Sequence, residues 1–123
     1  MTPPRDIAEL NERFRWSAAR KPWIRVLTGP GPLVGDCKDY AVTALWVAAG
    51  STARAWWLLL TFRAWLVVTK LPGGPTHMML WLRGRGWIDN VHPTFGPRRL
   101  PILFPAPWPV IALLMLIGKA VRR

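Results

Sequence analysis

Cys37, His77 and Asp89 are the residues of this sequence whose types and settings could carry covalent chemistry. Cys37 is the only cysteine among 123 residues and stands in Gly35-Asp36-Cys37-Lys38-Asp39-Tyr40, between two of only six acidic side chains. An alanine-rich apolar run follows, so the hexapeptide reads as a helix start. Asp36 is a good N-cap, and Asp39, three residues on, is placed for the reciprocal bond of a capping box. Cys37 then falls on the first turn, where free N–H groups and the positive end of the helix dipole favour a thiolate. Gly35 permits a sharp entry that would lift the sulfur to the lip of a cleft. From the hexapeptide alone a buried structural thiol is an equal alternative.

A base for such a thiol comes from a predicted hairpin. Thr76-His77-Met78-Met79-Leu80-Trp81-Leu82 and Gly86-Trp87-Ile88-Asp89-Asn90 flank Arg83-Gly84-Arg85, with glycines suited to positive φ. A three-residue loop sets Leu82 opposite Gly86 and Met79 opposite Asp89. His77 then lies diagonal to Asp89 on the same sheet face. A two- or four-residue loop would send Asp89 to the other face. In the first register His77 is a base that a carboxylate can orient. His92, in Asn90-Val91-His92-Pro93, is the competing histidine and reads as a solvated or loop-anchoring residue. A metal site would need His77, His92 and Cys37 or Asp89 to converge. With no ligand pair at close helical spacing, neither a metal nor another cofactor is expected.

These segments together resemble the bacterial and phage transglutaminase-like cysteine proteinases of the papain-like superfamily. The pattern shared is a G-D-C-x-D-Y/F-A helix start, a histidine opening a strand, and D-N ending the next strand, with order and spacing agreeing over roughly Asn11 to Pro101. The resemblance implies an α+β fold, with the N-terminal cysteine helix packed on a short antiparallel sheet. It implies Cys37 as nucleophile, His77 as base, Asp89 as orienting carboxylate, and Asp36, Asp39 and Asn90 in support. The papain-type oxyanion glutamine has no counterpart, because the chain contains no glutamine. The backbone N–H of Cys37 can supply one donor, with an upstream backbone group or the indole of Trp16 or Trp23 as a second. The activity implied is thiol-dependent acyl transfer, as a peptidase or amidase acting on a peptide or protein. The alternative is a catalytically inactive relative serving as a binding module in a phage or bacterial assembly.

The elements that must hold these residues follow from the rest of the chain. Thr2-Pro3-Pro4 opens a predicted helix to about Arg20, with Ile7, Leu10 and Phe14 at helical spacing. Thr28-Gly29-Pro30-Gly31-Pro32 lies in a loop from Lys21 to Val34 and lacks the ending of a phosphate loop. The cysteine helix runs to about Ala49 and buries a narrow face of Ala41, Ala44 and Ala48 beside Leu45, ending at Gly50-Ser51. Trp56 to Thr61 is of open type, a strand follows near Ala64 to Thr69, and Leu71 to Pro75 is a turn.

Length suits one domain, assigned to residues 1–100, with 101–123 as a Pro-rich apolar tail ending in a short basic helix. The formal charge of +11 raises nucleic acid as a partner. The cations are scattered and match no zinc-finger, basic-zipper or RNP motif, so nucleic acid is disfavoured. Three settings stay open for the tail helix: the domain's own core, a protein groove or second copy, and the surface of an anionic membrane. It is too short between prolines to span a bilayer. No export signal is visible at the N-terminus, so a reducing cytoplasm is the expected setting. The resemblance adds a phage-encoded or virion-associated origin.

Overall fold

The computed structural model describes residues 3–17, 23–70 and 76–121. The predicted turn at 71–75 and the far end of the predicted first helix lie outside these residues. The fold is mixed α+β, with four helices and two sheets among the described residues.

At its centre is α2 (Cys37–Ala49), which begins on the Asp36 cap and ends at Gly50 in the left-handed region, φ 85°. Only glycine takes that conformation without a Cβ penalty, so the helix stops there. The expected narrow small-residue face is corrected by the structure: α2 is buried on nearly every side, with only Cys37, Lys38 and Ala48 outside the core. Its Ala, Val and Leu side chains suit a helix covered all round rather than one with a wet face.

One cover is an antiparallel sheet in the order β5-β4-β3-β6. It comprises β3 (Ala64–Lys70), β4 (Thr76–Leu82), β5 (Gly86–Ile88) and β6 (Phe104–Ala106). Met78, Leu80 and Leu82 of β4 join Ala41, Ala44 and Leu45 of α2 in the main core. Met79 instead joins Val67 and Leu100 in a smaller cluster, as the two-residue period of a strand requires. The other covers are α1 (Ile7–Arg13) and α3 (Thr52–Leu60), the latter resolving the open type of 56–61 as helix. Ser51 caps α3 by accepting from the Arg54 N–H.

One expectation fails because of a non-local strand pairing. The first helix is capped by Asp6 and ends at Arg13 rather than near Arg20, because β1 (Phe14–Trp16) pairs in parallel with β2 (Leu33–Gly35). Within residues 101–121, β6 pairs with β3, Leu66 opposite Ala106 and Val68 opposite Phe104, and α4 (Trp108–Val121) follows with Ile111 fully buried. A proline at position 105 is tolerated because β6 is an edge strand. No helix among the described residues is long and apolar enough to cross a membrane.

Candidate active site

The helix start that carries Cys37 is held by a closed set of bonds. Asp36 accepts from the N–H groups of Lys38 and Asp39, both at 3.1 Å, and Asp39 Oδ2 accepts from the Asp36 N–H at 3.3 Å. This reciprocal box satisfies donors that the first helical turn leaves free. Lys38 Nζ lies 2.8 Å from Asp36 Oδ2. Asp39 is fully buried and also accepts from the Arg25 N–H at 3.1 Å, while Thr43 accepts from the Leu27 N–H at 2.8 Å. The loop before the cysteine is thereby fastened along α2. Gly35 is required by closeness: a Cβ there would stand 2.8 Å from both Cβ and Oδ2 of Asp39.

The hairpin loop is residues 83–85, and the register places Leu82 opposite Gly86 and Leu80 opposite Ile88. Asp89 therefore follows the last residue of β5, and His77 is the second residue of β4. The two are 4% exposed each. His77 Nε2 lies 3.4 Å from Asp89 Oδ1, close enough for charge attraction though not aligned as a hydrogen bond, and it has no other partner. Catalytic contacts are commonly long before substrate binds and tighten in the reacting complex.

Asp89 is itself fixed. Its Oδ1 accepts from the N–H groups of Val91 and His92, both at 2.8 Å, and Oδ2 lies 3.3 Å from His92 Nδ1. His92 thus anchors the loop and steadies the carboxylate from the side away from His77. Tyr40 donates to Asn11, and Asn11 donates to the Pro93 carbonyl at 2.6 Å, so α1 ties α2 to the same loop. Neither the Asn11 bridge nor the His92 contact was anticipated as part of the site. The only sequence signal for the first is a polar residue at position 11, beside the apolar positions of α1. Asn90 makes no hydrogen bond through its buried Oδ1. Trp16 pairs with Gly35, two residues before the cysteine, and is 62% exposed.

The electrostatics follow from burial and neighbours. Burial alone would lower the proton affinity of His77, but Asp89 and Cys37 outweigh it and push the imidazole up to about 9. Burial raises Asp89, and this is overcome by His77 and by the N–H groups of His92 and Val91, which hold the carboxyl below its ordinary range. Cys37 is partly buried, and it contributes with Asp89 to the raised proton affinity of His77. Among the described residues no group of three His, Cys, Asp or Glu is arranged to hold a metal.

A pH dependence of stability follows. His77 binds its proton more tightly in the folded chain than in the unfolded one, where the ordinary value is 6.5. Its contribution is therefore complete below pH 6.5 and is lost as pH rises through about 9. It amounts to at most roughly 3 kcal/mol. Asp89 has the opposite sign: its contribution is present above the ordinary carboxylate range and is lost as pH falls. Urea midpoints should decline from neutral pH toward pH 9, and an NMR titration should show His77 still protonated at pH 8. A ring that titrates near 6.5 in the folded protein would overturn this account.

Comparison of the chain with protein-family models, with curated proteins and with solved structures finds no match.

Proposed function

We propose that this protein is a thiol-dependent acyl-transfer enzyme of the papain-like, transglutaminase-like type, a peptidase or amidase acting through a Cys37-His77-Asp89 triad. The observation that carries the reading is the buried pair of His77 Nε2 and Asp89 Oδ1, 3.4 Å apart, with the proton affinity of the ring raised by Asp89 and by Cys37. The three residues come from the first turn of α2, the start of β4 and the end of β5. Such convergence of nucleophile, base and orienting carboxylate is the arrangement that nucleophilic catalysis requires.

In the mechanism, His77 holds the thiol proton and Cys37 attacks an amide or ester carbonyl as the thiolate. The carbonyl oxygen becomes an oxyanion, to which the Cys37 backbone N–H at the helix N-terminus can donate. His77 passes its proton to the departing amine or alcohol, the C–N or C–O bond breaks, and an acyl-thioester remains. His77 then takes a proton from water, the hydroxide adds to the thioester carbon, and the acid leaves as Cys37 recovers its proton from the imidazole. An amine in place of water gives transamidation by the same steps. Asp89 stabilises the imidazolium that each half-reaction forms.

A second reading is favoured by the exposed apolar side chains of Leu103, Phe104, Leu113 and Leu116, which suit a protein-binding module that has kept the fold and lost the chemistry. The two readings part at the sulfur. An iodoacetamide or vinyl-sulfone probe incubated with folded protein at neutral pH, followed by intact mass, should give one adduct, with labelling faster than that of an unfolded control. Labelling seen only after denaturation would leave the binding module as the better reading.

A further inference from the structure

A cavity of about 400 Å3 lies between α4, the loop of residues 24–28 and the C-terminal half of α2. That volume is within the range of small-molecule sites. Its outer wall is closely fitted: the Ile24 N–H donates to the Leu114 carbonyl at 3.2 Å, and a Cβ on Gly118 would stand 2.7 Å from the Ile24 carbonyl oxygen. Val26, Trp46, Trp56 and Met115 make the lining largely apolar.

Among the described residues, two cations, Arg25 and Lys119, line the same space and no carboxylate does. Arg25 Nε is buried and has no hydrogen-bond partner. A charged donor removed from water and left unpaired is costly, so the position is suited to an anion brought by a ligand. Three of the six acids pair with other side chains: Glu9 with Arg5 and Arg13, Asp36 with Lys38, and Asp89 with two histidines. Neither Cys37 nor His77 lines the cavity. Trp46 stands nine residues along the helix from Cys37, roughly 13 Å at the rise of an α-helix.

We propose that this cavity binds a small amphiphilic carboxylate, its apolar body between Trp46, Trp56 and Met115 and its head group on Arg25 and Lys119. The guanidinium fork matches a carboxylate in two-point geometry, and the indoles supply flat apolar walls for a chain or ring. The site does not depend on acyl transfer at Cys37, and its test reads binding alone.

Sodium decanoate, kept below the concentration at which it aggregates, is titrated into the full chain by calorimetry and by tryptophan fluorescence, with decanol as the uncharged comparison. One saturable site per chain is expected for decanoate, with decanol at least about tenfold weaker, the scale of one charge-assisted hydrogen bond. Arg25→Gln keeps the backbone N–H that binds Asp39 and should bring decanoate down to the decanol level. Ala112→Phe, which fills the cavity, should abolish binding of both. Equal binding of decanoate and decanol, or a folded Arg25→Gln that binds decanoate as wild type does, would overturn the proposal. Should Arg25→Gln fail to fold, Lys119→Gln, on an exposed turn of α4, must weaken decanoate and leave decanol unchanged, and no change in that variant counts against the site equally.

Discussion

Turnover of amide and ester substrates is expected to vanish in Cys37→Ala and to fall by roughly 10²- to 10⁴-fold in His77→Ala. The first removes the only sulfur nucleophile in the chain. The second removes the group that, in the proposed mechanism, takes up and returns a proton in each half-reaction. Alkylation of Cys37 at neutral pH should slow in His77→Ala along with turnover, which separates loss of activation from loss of substrate binding. Circular dichroism should show the fold retained in Cys37→Ala. His77 is buried, so its truncation leaves a small cavity beside Asp89 and some stability is lost with it. If folded His77→Ala alkylates and turns over at the wild-type rate, the imidazole has no part in the chemistry.

Asp89→Asn is expected to lower turnover by roughly 10²-fold or more with little loss of stability, by the logic of an orienting carboxylate behind a catalytic imidazole. The structure explains why stability should hold. An asparagine oxygen can still accept from the Val91 and His92 N–H groups that Asp89 Oδ1 now serves, so the loop stays folded. What disappears is the negative charge beside His77 Nε2, and the imidazole should lose part of its raised proton affinity. Activity of Asp89→Asn should therefore decline at lower pH on the alkaline side than activity of the wild type. Asp89→Ala removes the acceptor as well as the charge, and it should cost stability as well as rate. A folded Asp89→Asn with wild-type turnover and an unchanged alkaline limb would show that the carboxylate acts only as a loop brace.

The parts of the site legible in the sequence are those fixed by short spacing. The capping box follows from acids three residues apart, and both of its reciprocal bonds are present at Asp36 and Asp39. The hairpin register follows from loop length, and the pairing of Leu82 with Gly86 meets that expectation. The misreadings come from long-range pairing. Phe14 continued a helical pattern until Leu33 claimed it as a strand partner. At 104–106 the prolines hid an edge strand whose partner, β3, lies far back in the chain. The alanine positions of α2 resembled a stripe because periodicity reports contrast between faces, and a helix covered all round has little. The bridge from Tyr40 through Asn11 to Pro93 joins three distant segments, and no local pattern encodes such a contact.

The two borders of the main sheet bear on how this chain behaves when crowded with copies of itself. Half of its residues are hydrophobic, a composition that invites strand-to-strand stacking into fibrils. At one border β5 has only three residues, and the chain folds back over it, Trp87 and Gly96 exchanging hydrogen bonds at 2.8 and 3.0 Å. At the other, β6 has only three residues, and Pro105 among them offers no N–H to an incoming strand. Neither border presents a long ladder of free donors and acceptors, so the sheet is a poor template for its own polymerisation.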